Sequence, residues 1–274
     1  MARSKVHYQG LATGRGASPL VWGDCPVQDF QDDPTRGYLF YDDFHNLPPS
    51  GSKYTILEAD DKASLSILPT DVQGILRMAI TGDDNEECNF QYGVSGESVQ
   101  GIFNTPANDA RRMWFEARFR TSSIANNVNA LFLGMAAEGS CAANAQSDNN
   151  GTLWDSDDSG TTDKAHFCFR TLQADGDGLD IEYGTAGAIS VVHKNLAQVL
   201  VANTWYKVAW KQDEDGLVQC FIDNVKSGSV LDVSATSVPD GEELAFVAGC
   251  KVGGDAALNV DIDWVRFAQE FIQP

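Results

Sequence analysis

Thr204-Trp205-Tyr206-Lys207-Val208-Ala209-Trp210-Lys211-Gln212-Asp213-Glu214-Asp215-Gly216-Leu217-Val218-Gln219-Cys220-Phe221-Ile222-Asp223-Asn224 is the stretch that decides the fold. Tyr206, Val208 and Trp210 alternate with Lys207, Ala209 and Lys211. That spacing predicts a strand with one apolar face and one face in water. Asp215-Gly216 supplies residues that accept positive φ, as a tight turn requires. Val218, Cys220 and Ile222 then share one face of a returning strand, and Asp223-Asn224 opens the next turn. A lone hairpin is marginal in water, so a larger sheet must surround it.

Working outward, short apolar runs bounded by polar turns recur along the chain. Upstream they include 38–41, 54–57, 64–68, 74–80, 89–92, 101–103, 113–120, 129–135, 166–170, 179–183 and 189–192. In the segment 113–120, Met113, Phe115, Ala117 and Phe119 oppose Trp114, Glu116, Arg118 and Arg120. Downstream come 230–233, 243–248 and 258–265, the last read as a clean alternation from Leu258 through Trp264. Residues 192–201 fit a helix or a strand equally, and no other stretch reads as an amphipathic helix. Asp175-Gly176-Asp177-Gly178 reads as a hairpin turn. About a dozen strands at roughly 8–15-residue spacing, without a fixed repeat, predict an all-β antiparallel sandwich or barrel.

Composition narrows the partners. The chain has 274 residues and a formal net charge of -20, from 39 acids against 19 bases. Such a chain repels a phosphate backbone, so no nucleic-acid partner is expected. No apolar tract of about 20 residues occurs, so no membrane span is expected either. The N-terminus lacks an apolar h-region, which points to folding in a cytoplasm without a Sec signal. The six cysteines are far apart and form no C-x-x-C pair, which argues against zinc. Cys168, Cys220 and Cys250 sit in or beside apolar runs and read as buried free thiols.

Residues 1–37 differ from the rest. They hold Gly10, Gly14, Gly16, Gly23, Pro19, Pro26 and Pro34, and Arg3, Lys5 and Arg15 precede the first acid, Asp24. The expectation is an extended basic arm, 1–37, ahead of a single domain, 38–274. Trp22 and Phe30 are its apolar anchors and would pack on this domain or on a neighbour. A disordered tail is the competing reading.

At this point the chain resembles the concanavalin A-like lectin/glucanase and laminin-G-like jelly rolls. The run Asn203-Thr204-Trp205-Tyr206-Lys207-Val208, with its returning strand to Asp223-Asn224, is similar to a hairpin of that group. Met113-Trp114-Phe115-Glu116-Ala117-Arg118-Phe119-Arg120 resembles a central strand, and Val260-Asp261-Ile262-Asp263-Trp264-Val265-Arg266 a closing strand. The resemblance implies a concanavalin-like jelly-roll β-sandwich. It does not imply one function, because the group includes lectins, glycosidases, adhesion modules and tailed-phage virion proteins.

Glycosidases of this group bear E-x-D-x-x-E or E-x-D-x-E on one strand, and the nearest match here is Asp180-Ile181-Glu182, which lacks a third acid. It reads as a solvated strand face. His7, His45, His166 and His193 have no local triad or zinc context. Asp155, Asp157 and Asp158 form the one loop with the alternating hard oxygens that calcium favours. Trp154 beside them would be a glycan-stacking residue if exposed, or a loop anchor if buried. The expectation is therefore a non-enzymatic virion structural protein needing no cofactor, a capsid decoration or cement protein of a tailed bacteriophage. It would attach to the major capsid protein or another virion protein through Arg3, Lys5, Arg15, Trp22 and Phe30 and self-associate as a homo-oligomer, a trimer by the ring-closing argument. A carbohydrate-binding module for a host-surface glycan, on a capsid or tail fibre, is the alternative, and a glycoside hydrolase the third.

Overall fold

The computed structural model describes residues 14–46, 53–58, 60–68, 74–93, 101–103, 111–141, 153–154, 164–185, 191–234 and 238–271. Two short helices, α1 (Pro19–Trp22) and α2 (Val27–Asp32), precede sixteen strands. The strands are β1 (Gly37–Asp42), β2 (Tyr54–Glu58), β3 (Ala63–Leu68), β4 (Ile75–Ile80), β5 (Glu87–Tyr92), β6 (Gly101–Ile102), β7 (Met113–Thr121) and β8 (Ala130–Ala137). They continue with β9 (His166–Leu172), β10 (Asp175–Gly184), β11 (Val191–Val199), β12 (Tyr206–Gln212), β13 (Leu217–Ile222), β14 (Val225–Asp232), β15 (Glu243–Lys251) and β16 (Leu258–Glu270).

The strands form two eight-stranded sheets packed face to face. The first runs β14-β13-β12-β7-β16-β4-β3, with β1 also paired to β16; the second runs β11-β10-β9-β8-β15-β5-β2, with β6 also paired to β15. Strand pairing is antiparallel in both. This is the expected antiparallel sandwich. The hairpin sits where expected, with Trp210 opposite Cys220 and Val208 opposite Ile222. Gly216 takes φ 74° in its turn, and Asp223-Asn224 take φ 47° and 66° in the next one.

Tyr206, Val208 and Trp210 enter the core between the sheets. Trp210 is fully buried and stacks on Phe115 with ring centroids 5.5 Å apart. Phe103 and Phe167, from the second sheet's side, close around it at 5.0 and 5.6 Å. A single aromatic thus ties both sheets, and pairs of this kind add about 0.5–1.5 kcal/mol each beyond area burial.

Several expectations need correction. The face of the hairpin assigned to water is covered: Lys207 and Ala209 are buried. Residues 14–36 are not extended; they fold into α1 and α2 and lie over that face. Pro19 at the first helical position and Pro26 just before α2 start each helix, since proline's fixed φ suits a first turn. Residues 192–201 are strand, because β11 pairs with β10 at the sheet edge. Asp175-Gly178 belongs to β10, where the register slips between Asp175 and Asp180, and Gln173-Ala174 make the turn. Finally, β16 does not alternate cleanly. A bulge between Ile262 and Trp264 adds one residue, so Val260 and Ile262 face the core, as do Val265 and Phe267 beyond the bulge. Asp263 and Trp264 both turn outward, as a bulge allows.

Candidate functional site

Among the described residues, polar chemistry gathers on the outer face of each sheet. On the first sheet the site is built by β7, β12 and β16. Glu116 of β7 is fully buried. Its carboxylate accepts the backbone N–H of Ser18 at 3.0 Å and the indole N–H of Trp22 at 2.8 Å. Burial raises its pKa above the usual glutamate value, opposed by the Ser18 and Trp22 hydrogen bonds and by Lys207. Lys207 donates to the Gly16 carbonyl at 3.1 Å, and burial lowers its pKa.

The β16 bulge supplies the second anchor. Asp263, fully buried, accepts from Arg15 Nε at 2.8 Å and from Arg118 Nη1 at 2.5 Å. Its neighbour Trp264 donates its indole N–H to the Arg15 carbonyl at 2.9 Å. Two adjacent outward residues thereby hold one arginine by side chain and backbone. An apolar cluster completes the clasp, with Ala17, Val21, Trp22, Cys25 and Phe30 packed on Trp114, Ala209, Phe221 and Ala268. Burying Val21, Trp22 and Phe30 contributes about 1.5–3 kcal/mol each. Of the expected assembly residues, Arg15, Trp22 and Phe30 are therefore engaged with their own domain. Arg3 and Lys5 lie outside the described residues.

On the second sheet, alternation turns Asp180 and Glu182 of β10 outward beside His166 and Arg170 of β9. The expected solvated strand face is not there: Glu182 is fully buried and Asp180 nearly so. The Arg170 guanidinium lies 2.5 Å from Glu182, and His166 Nε2 3.4 Å from it. Burial lowers the Arg170 pKa, while Glu182 and Asp180 act to raise it. Further along the same face, Lys251 of β15 and Glu87 of β5 form a second buried pair at 3.5 Å, and Asn89 donates to Glu87 at 2.9 Å. Gly249 is required between them, because an added Cβ would lie 2.0 Å from the Asn89 side-chain oxygen and 2.5 Å from the Phe132 ring.

Leu153-Trp154 close this face. The Leu153 amide donates to Glu182 at 2.7 Å, and the Trp154 indole donates to the Ser140 carbonyl at 2.7 Å. Trp154 is buried, not exposed, and its ring meets Phe132 at 5.2 Å and His166 at 5.0 Å. It holds φ at 51°, an uncommon conformation for a bulky residue that its surroundings must enforce. No ring face is left for a sugar, so the loop-anchor reading is the one the packing supports. The calcium candidates Asp155, Asp157 and Asp158 lie outside the described residues. Among the described residues no group of three His, Cys, Asp or Glu side chains could hold a metal ion.

The cysteines are unpaired, and burial pushes the Cys88, Cys141 and Cys220 thiols up to about 12. Thiols held protonated in this way are inert as nucleophiles. The residues that alternation missed are Asp263 and Glu116 as anchors. One signal for Asp263 was present: the apolar phase shifts by one residue between Ile262 and Val265.

No family model and no curated protein matches this chain. Solved structures do. Peanut lectin with a 9mer peptide matches at a TM-score of 0.55 and 13% identity, over 87% of this chain and 99% of that one. The endo-β-1,4-glucuronan lyase of the fungus Trichoderma reesei matches at 0.52 and 14%, over 83% and 94%. A Bacillus licheniformis β-glucanase matches at 0.51 and 14%, over 84% and 97%. At such identities the likeness shows the fold alone, and lectins stand beside enzymes in it.

Proposed function

We propose that this chain, a concanavalin A-like lectin/glucanase jelly roll by fold, is a non-enzymatic structural protein of a virus particle. It decorates or cements a tailed-phage capsid and attaches through the basic residues ahead of its clasp. The observation that carries this reading is that the chain covers the β7-β12-β16 part of one outer face with residues 14–36 and closes Leu153-Trp154 over Glu182 on the other. A glycosidase needs two carboxyl groups open to substrate. The pair that comes nearest in sequence, Asp180 and Glu182, is buried, and Glu182 lies against Arg170 and His166. Among the described residues, the rim of the sandwich and the β4 side of the first sheet's outer face stay available to a partner, and in the sequence before residue 14 Arg3 and Lys5 precede any acid. In this reading residues 14–36 are part of the domain, and residues 1–13 are the tether.

The test separates the two. Particles assembled with the chain lacking residues 1–13 should carry far less of it, while the purified variant melts at the wild-type temperature. Undiminished occupancy of particles by that variant would refute tethered attachment. A second reading, a carbohydrate-binding module, draws on the lectins among the similar folds, but it must use a surface other than Trp154. Glycan-array binding that survives Trp154→Phe would favour it.

A further inference from the structure

The clasp leaves one part of the first sheet's outer face to solvent, on the side towards β4. Arginines crowd there. Asp261 of β16, nearly fully buried, accepts from Arg77 Nε at 2.7 Å and Arg77 Nη2 at 2.9 Å, and from Arg120 Nε at 2.9 Å. Asp263 beside it takes Arg15 and Arg118. Arg266 lies 5.3 Å from the Trp264 ring and 4.7 Å from the Tyr41 ring. Asp261 and Asp263 thus hold four guanidiniums between them, two more than their own charge. Around them stand Glu116, opposite Arg266 and capped by Ser18 and Trp22, Asp223, within electrostatic reach of Arg118, and Asp43, 3.1 Å from His45.

That surplus stands on a chain of net charge -20, so the face is an island of opposite sign. It is also held rigidly. Arg118 and Arg120 lie 4.3 and 4.6 Å from the centroid of the Trp205 ring, a cation–π arrangement. The guanidiniums of Arg77 and Arg120 each have five N–H donors in a fixed fork, and Asp261 takes only some of them. Arg77 and Arg120 keep 30% of their side chains exposed. Donors fixed in advance lose little freedom on binding.

We propose that this arginine–tryptophan face docks an acidic protein surface. The proposal rests on the attachment reading above and names the chemistry of its partner. Arg15, next to the first described residue, lies on this face, so the point where the basic segment joins the fold and the arginine cluster offer charge of one sign together. Arginine clusters are a recurring answer to acidic segments, and charge complementarity sets orientation and on-rate. The surface is the outside of a sheet, not a cleft, and a cleft is what a buried sugar would need. Flat against flat suits a protein.

Binding of poly-L-glutamate to the immobilised full chain at low ionic strength tests this, with polygalacturonate as the acidic-polysaccharide arm. Arg77→Gln and Arg120→Gln, each of which leaves Asp261 one guanidinium, should weaken poly-glutamate binding by about three- to tenfold. Asp261→Asn should strengthen it, because it removes a negative charge from the face. Added salt should abolish it. A purely structural role for these residues would weaken binding in all three variants alike, and that result would overturn the proposal. So would no binding by the wild type, or tighter binding of polygalacturonate. If deletion of residues 1–13 abolished binding while the arginine variants did not change it, the tether reading would stand and this surface would fall.

Discussion

On the first sheet the cover supplies partners that the strands do not supply in full: Ser18 and Trp22 for Glu116, and Arg15 beside the strand residue Arg118 for Asp263. On the second sheet the charges already hold one another, Glu182 with Arg170 and Glu87 with Lys251, and the cover adds the Leu153 amide. Glu116 on the first face therefore takes its hydrogen bonds from the cover, while Glu182 and Glu87 on the second face have cationic partners on neighbouring strands. The contrast explains why an N-terminal segment rich in glycine and proline is folded. It is the missing half of a polar network that the strands leave open.

This contrast can be broken in order of effect. Deleting residues 1–36 should cost most. It removes the buried Val21, Trp22 and Phe30 and uncovers Trp114 and Phe221, on the order of 5 kcal/mol or more, comparable with a whole domain's stability. Circular dichroism should find no cooperative melt near the wild-type temperature; a transition shifted by only a few degrees would mean that the cover is dispensable. Trp154→Ala should cost about 3–5 kcal/mol in urea unfolding, since it empties a packed site against Phe132 and His166. Glu182→Gln should cost about 3 kcal/mol by leaving Arg170 buried against a neutral amide. A stability loss below about 1 kcal/mol there would show that Arg170 finds compensation elsewhere.

Glu116→Gln should have the smallest effect, below about 1 kcal/mol, because the amide oxygen can still accept from Ser18 or Trp22. Its signature lies in pH dependence. Burial raises the folded-state pKa of Glu116 above the ordinary 4.5, so the folded state holds this proton more tightly than the unfolded one. The stabilisation is full below the ordinary value and is lost as pH rises through the raised one. The variant should flatten that decline, measured as melting temperature from pH 4 upward; an unchanged slope would remove Glu116 as its source.

Most of the sandwich was legible because half-buried strands alternate, and Met113 to Arg120 became β7 with few changes. What alternation cannot report is what lies over the second face. Lys207, Ala209, Asp180 and Glu182 read as solvated for that reason, although all four are buried, Lys207, Ala209 and Glu182 under distant segments. β14 was read only from Val230, since its first half, Val225 to Ser229, is a largely exposed edge with no apolar face to mark it. The helices α1 and α2 span four and six residues, too short for a helical period to register. Trp22 and Phe30 were legible as anchors, but their destination was not, because the Glu116 and Trp114 they meet lie far along the chain.

That residues 14–36 fold as a clasp on the domain is read most directly by amide hydrogen exchange on the free chain. The amides of Val21, Trp22, Gly23 and Phe30 donate to the carbonyls of Ser18, Pro19 and Pro26 beneath a buried apolar cluster. They should exchange at least ~100-fold more slowly than an unstructured peptide, in step with β16. Exchange of these amides at the unstructured rate while β16 stays protected would contradict the account.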